Sequence, residues 1–180
     1  MKFASQKSII QIANAYFGMM TQLRFYNVWR HFASLKPALR SQFWHRDQDD
    51  FQIVKMFLHL ENVEAGSGPF TYALGTHSKG KFRCKAPSFL EPGRKNPRST
   101  DEQLRTLVSE DKWVECTGPE GTIIFADTTG YHKGGLARTK DRLLFNCMFV
   151  SKAAKCETLF QKPKDFILPE DRETAFALSA

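Results

Sequence analysis

Phe43-Trp44-His45-Arg46-Asp47, taken together with Gly130-Tyr131-His132-Lys133-Gly134-Gly135 far downstream, governs how the rest of this 180-residue chain is read. Side chains two residues apart on a strand point to the same face, so His45 and Asp47 present an imidazole and a carboxylate side by side. A histidine from a distant strand, His132, can complete three ligands on one side of a metal ion. Two histidines and a carboxylate, with open positions opposite them, make the facial donor set that suits non-haem Fe(II). An H-x-D pair alone says little. Its weight comes from the strands and turns on either side.

Working outward, Phe51 to Leu60 is a continuous strand-like run in which Lys55, Phe57 and His59 share one face. Val54, Met56, Leu58 and Leu60 share the other. Glu64 to Pro69 is a turn by composition, and Phe70 to Leu74 a short strand ended by Gly75. Upstream, Gln22 to Phe32 sets Leu23, Phe25, Asn27, Trp29 and His31 against Arg24, Tyr26, Val28 and Arg30, a strand pattern closed by Lys36-Pro37. Before it, Ile9, Ile10, Ile12, Ala13, Tyr16, Phe17 and Met20 recur at the helical period, with Gly18 near the helix end. Ser99-Thr100-Asp101-Glu102 reads as a capped helix start running to about Ser109. Strands follow at Trp113 to Cys116, Thr122 to Asp127 and Leu143 to Val150, while Pro163 and Pro169 leave 155–180 mostly irregular or packed across the surface. Short strands between turns, with helices confined to the start and to one insert at about 79–112, predict a mainly β jelly roll. The expectation is a single domain over residues 1–180.

The composition fits that class. Sixteen phenylalanines supply the aromatic surface that packs well on pleated sheets. There is no apolar run long enough for a transmembrane helix, and the N-terminus lacks the apolar segment of a secretory signal. Cys84, Cys116, Cys147 and Cys156 form no CxxC pair, which points to free thiols, a cytoplasmic setting and no structural zinc. The net charge of +7 is concentrated between Lys79 and Arg98, where Lys79, Lys81, Arg83, Lys85, Arg94, Lys95 and Arg98 face only Glu91. That segment carries 7 − 1 = +6 and leaves +1 elsewhere, which argues against a nucleic-acid footprint spread over the surface. Its plain reading is a solvated loop. Its sharper reading is a mouth that attracts an anionic small-molecule substrate.

Three stretches together resemble the phytanoyl-CoA dioxygenase family of Fe(II)- and 2-oxoglutarate-dependent oxygenases. Trp44-His45-Arg46-Asp47 resembles the family's W-H-x-D. Gly68-Pro69-Phe70-Thr71-Tyr72-Ala73-Leu74-Gly75-Thr76-His77 resembles its glycine-proline to glycine-hydroxyl-histidine segment, with Leu74 in place of the usual proline. Gly121 to Arg142 resembles its apolar strand, distal histidine and trailing arginine. The likeness covers 42–150; family members also carry additional structure before the first core strand.

The resemblance implies a double-stranded β-helix, cupin-like, with the metal between two sheets. It assigns His45, Asp47 and His132 as Fe(II) ligands, 2-oxoglutarate and O2 as cosubstrates, and Arg142 as the cation for the far carboxylate of 2-oxoglutarate. Arg142 begins a strand, where an oriented side chain is expected, whereas its rival Arg138 sits in a polar turn. Lys55, if it points inward, is a second cosubstrate contact; otherwise it snorkels to the sheet edge. Asp127 is either a carboxylate orienting a ligand or a strand-end cap. His77 reads as structural or substrate-facing, His59 as pocket-lining or simply buried, and His31 has no identifiable partner. Asp47 favours hydroxylation over halogenation, and Met148 stands where a nucleic-acid demethylase would carry a second arginine. The competing reading is a non-catalytic jelly roll that binds a metal or a ligand.

Overall fold

The computed structural model describes residues 2–83 and 97–179. Cys84, Lys85, Arg94 and Lys95 of the basic insert lie outside the described residues. Helix α1 (Lys7–Phe17) is followed by strands β1 (Gln22–His31), β2 (Val54–His59) and β3 (Phe70–Ala73), then helix α2 (Asp101–Arg105). Strands β4 (Trp113–Cys116), β5 (Ile123–Asp127), β6 (His132–Gly134) and β7 (Arg142–Val150) lead to helix α3 (Arg172–Ala177). The strands form a four-stranded sheet, β1-β7-β2-β5, and a three-stranded sheet, β4-β3-β6. Neighbours within both sheets are antiparallel. The fold is mainly β, as expected. Among the described residues no helix is long and apolar enough to cross a membrane.

Strand β7 shows why the larger sheet holds together. It is buried on both faces, so its sequence is an apolar run rather than an alternation. Phe145, Cys147 and Phe149 turn outward against Ile9, Ile10, Ala13 and Phe17 of α1. Leu144 turns inward to meet Phe57 and Phe70, which joins the two sheets. Burying a side chain such as Phe149, fully shielded from solvent, contributes about 1.5–3 kcal/mol. Helix α1 ends at Gly18 with φ 72°, a left-handed conformation that glycine adopts at little cost, and its N–H bonds Asn14 O at 2.8 Å.

Four details depart from the sequence reading. Strand β2 starts at Val54 rather than Phe51, because Phe51 and Gln52 lie in a bend. Helix α2 stops at Arg105, one turn past a Thr100–Gln103 capping box, and the chain continues to 109 in turns. The tail is mostly irregular, as expected, but ends in a helix the sequence reading did not place: Asp171 caps α3, which is held against α1 by Lys7–Asp171 at 2.7 Å and by Asn14 and Gln11 donating to Glu173. Finally, the β1/β7 register shifts between Leu23 and Phe25, making Arg24 the extra residue of a bulge. That bulge turns Leu23 to the helix side and Phe25 to the cavity side. The Arg24 carbonyl accepts from Leu159 N at 2.7 Å, so the tail pairs with the bulge. Cys116, Cys147 and Cys156 are free thiols, as expected.

Candidate metal centre

His45, expected on a strand, lies instead in an isolated bridge in the segment between β1 and β2, exchanging two backbone hydrogen bonds with His132 at the start of β6, each 3.0 Å. Directly opposed residues share a face, so the pairing sets the two imidazoles together, ring centroids 4.2 Å apart. Asp47, two residues on, is held by its N–H to Thr128 O at 2.9 Å. The result is a cluster in which one ligand atom from each of His45, Asp47 and His132 lies within 4.8 Å of the others. The sequence spacing is met in space.

What orients the two imidazoles is not a carboxylate. His45 Nδ1 lies 2.9 Å from Phe43 O, and His132 Nδ1 lies 2.9 Å from Gly130 O. A carbonyl can only accept, so each ring carries its proton on Nδ1 and presents the Nε2 lone pair. His132 Nε2 points at Asp47 Oδ2, 3.7 Å away. Burial, reinforced for His45 by the neighbouring His132, lowers the basicity of the imidazoles to about 3 for His45 and about 4 for His132. Both are therefore neutral at pH 7. Burial alone would raise the Asp47 carboxyl; the Lys55 ammonium at 2.6 Å from Oδ2 outweighs it and holds the group well below the usual carboxylate range. Two neutral imidazoles and an ionised carboxylate suit a divalent iron.

Beside the cluster is a cavity of about 270 Å³ bounded by both sheets. His45 and His132 open onto it, with Phe25 and Trp29 from β1, Lys55 and Phe57 from β2, Phe70 from β3, and Arg142 and Asn146 from β7. Arg142 is 2% exposed. Burial lowers its pKa to about 10, so the guanidinium stays charged at neutral pH. One end, Nη1, donates to Gly68 O. Gly68 has φ 67°, and a Cβ there would lie 2.4 Å from Ala137 N, so the carbonyl that positions Arg142 depends on glycine. Arg142 Nε is buried and unpaired, which leaves donor capacity for an anion. The residues thus fit both a metal and an anionic partner.

The five expected site residues, His45, Asp47, His132, Arg142 and Lys55, are brought together. Arg138, the rival cation, does not line this cavity; its Nη1 bonds the carbonyls of Ser34 and Lys36 at 2.9 Å each. Asp127 is a strand-end cap rather than a ligand-orienting group: it accepts from Thr129 N, Thr129 Oγ1 and Tyr16 Oη. His77 accepts from Lys79 N in its turn, and His59 is buried at the end of β2. Tyr131 packs in the small core with Trp44, and the Arg46 guanidinium lies 4.3 Å over its ring. His31 acquires a neighbour the sequence did not supply. It pairs in register with Arg142 and lines the same cavity, and burial followed by that guanidinium lowers its pKa to about 4.

The sequence matches no family model and none of the curated proteins compared with it. The fold is nonetheless similar to solved structures. One is the epimerase SnoN in complex with Fe3+, alpha-ketoglutarate and nogalamycin RO, with TM-score 0.65 and 16% identity over 92% of this chain. Another is EctD from S. alaskensis with bound Fe, with TM-score 0.60 and 16% identity over 89%. A third is HygX from Streptomyces hygroscopicus with nickel and 2-oxoglutarate bound, with TM-score 0.59 and 12% identity over 84%. This chain covers 66%, 56% and 66% of their lengths, respectively. At such identities the likeness is one of fold, the jelly roll.

Proposed function

We propose that the chain is an Fe(II)- and 2-oxoglutarate-dependent oxygenase that hydroxylates a small molecule. The observation that carries this reading is the clustering of His45, Asp47 and His132 beside a cavity that both histidines share with Arg142. His45, Asp47 and His132 would hold the iron. Arg142 would bind the far carboxylate of 2-oxoglutarate through parallel N–H donors, with Lys55 as a second contact. Bound iron and 2-oxoglutarate supply the chemistry of the class: O2 is consumed, 2-oxoglutarate leaves as succinate and carbon dioxide, and the substrate gains a hydroxyl. The chain's own part is to keep both imidazoles neutral, aim their Nε2 atoms and wall the cavity with Phe25, Phe57 and Phe70 against water. The finer likeness to phytanoyl-CoA dioxygenases rests on the three sequence stretches alone. The net positive charge of the segment 79–98 would favour an anionic substrate.

The decisive test is anaerobic addition of Fe(II) and 2-oxoglutarate. A visible charge-transfer band is expected, followed in air by succinate. A folded protein showing neither would be a ligand- or metal-binding jelly roll instead.

Lys55 provides a second check. Its ammonium now satisfies Asp47; an ion bound by Asp47 would release it toward the keto acid. Lys55→Met is therefore expected to retain iron binding while weakening 2-oxoglutarate about tenfold, the cost of a charged hydrogen bond. Titration calorimetry reads both affinities. An unchanged 2-oxoglutarate affinity would reduce Lys55 to a partner of Asp47.

A further inference from the structure

Arg98 closes the basic segment, yet its backbone is not that of a free loop. Ser99, 1% exposed, exchanges two backbone hydrogen bonds with the fully buried Trp44, at 2.9 and 3.0 Å. An antiparallel bridge between 44 and 99 sets residue 45 opposite residue 98, and opposed residues share a face. His45 is bridged in turn to His132. Arg98, His45 and His132 thus stand in one row across adjacent segments. A hollow lined by His45, Asp47, Gln48, Asp49 and Arg98 opens there, sharing only His45 with the Arg142 cavity. Arg98 Nη1 is shielded from water and has no hydrogen-bond partner. Asp47 is engaged with Lys55, and among the described residues no ion pair joins Arg98 to an acid.

A shielded guanidinium N–H without an acceptor is a costly arrangement unless something else fills it. Its position beside two metal-cluster residues, in a hollow separate from the Arg142 cavity, says what that is. We propose that Arg98 anchors the primary substrate through a carboxylate, holding the rest of the molecule next to the metal centre. This rests on the oxygenase reading, which it deepens by naming a substrate class. Asp47 and Asp49 flank the hollow, so a singly charged carboxylate fits better than a doubly charged phosphate, which two neighbouring carboxylates would repel.

The test uses ligand-observed NMR on the full chain loaded with zinc(II) and saturated with 2-oxoglutarate, so that the Arg142 cavity is filled. The probes are hexanoate, its neutral analogue hexanamide, and hexyl phosphate. Hexanoate is expected to bind about tenfold more tightly than hexanamide, in line with a charge-assisted hydrogen bond, and more tightly than hexyl phosphate. Arg98→Gln should bring hexanoate down to the hexanamide level, and Arg98→Lys, which keeps the charge but loses the fork, should fall between. Both variants should bind 2-oxoglutarate as the parent does. Equal binding of hexanoate and hexanamide, a preference that survives in Arg98→Gln, or a preference for hexyl phosphate would each overturn the proposal. Failure of the parent to bind 2-oxoglutarate strikes the oxygenase reading instead. The hexanoate and hexanamide comparison, repeated without zinc or keto acid, then still decides the role of Arg98.

Discussion

His132→Ala is expected to abolish the charge-transfer band with Fe(II) and 2-oxoglutarate, and with it succinate formation in air. The imidazole is 4% exposed, its Nδ1 is tied to Gly130 O, and its Nε2 faces Asp47. Even changing a group that merely orients a metal ligand costs about 10–100-fold in affinity. Removing the ligand itself should therefore cost more than that, measured as Fe(II) affinity by anaerobic calorimetry. The substitution also removes a ring packed 5.7 Å from Phe70 and 4.2 Å from His45, so some stability goes with it. His132→Gln, closer in size, separates the two effects, since it should fold like the parent and still lack the band. A variant that kept both band and turnover would remove His132 from the ligand set.

Why His45, Asp47 and His132 could be found in the sequence, and other parts of the site could not, follows from how each is built. H-x-D was legible through strand alternation, although 45–47 forms no strand: an isolated bridge from His45 to His132 and the Asp47 N–H to Thr128 O bring the side chains together, and a lone histidine after a buried strand is a local feature. Arg142 was legible for the same reason, as the first residue of an apolar run. The Arg24 bulge was not, because an extra residue in a strand is defined only against its partner. Without it, alternation puts Leu23 on the same face as Phe25; with it, Leu23 joins the helix-side core. His31 came to lie beside Arg142 through the β1/β7 register, which no window of sequence contains. The groups that orient the histidines are backbone carbonyls of residues 43 and 130, and a carbonyl leaves no mark in a sequence. Arg98 read only as one more charge in a basic segment, solvated or substrate-attracting as a whole, because its pinning by Ser99 and Trp44 joins segments more than fifty residues apart. Helix α3 was missed because it is short and is held by contacts remote in sequence: Ala177 and Leu178 are buried in the core beside α1, with Lys7 and Gln11 of α1 bonded to Asp171 and Glu173.

Arg142→Ala is expected to raise the 2-oxoglutarate requirement by about 10- to 100-fold, since hydrogen bonds between charged partners contribute about 1.5–3 kcal/mol. Fe(II) affinity in the absence of keto acid should change little, because Arg142 makes no contact with Asp47 or the Nε2 atoms that would bind metal. The guanidinium is already desolvated in the free protein, so the cost of stripping its water was met during folding and the incoming carboxylate meets a preorganised partner. Arg142→Lys keeps the charge but loses the planar fork, and Lys cannot both reach Gly68 O and present two parallel donors. It should therefore recover part of the affinity and leave a measurable deficit. Arg138→Ala is the control that separates two nearby cations. Its guanidinium holds the carbonyls of Ser34 and Lys36, so this change should loosen that loop without moving the 2-oxoglutarate requirement. Should the requirement rise in Arg138→Ala and stay level in Arg142→Ala, the anchor has been assigned to the wrong arginine, and the cavity between the sheets is not where the keto acid binds.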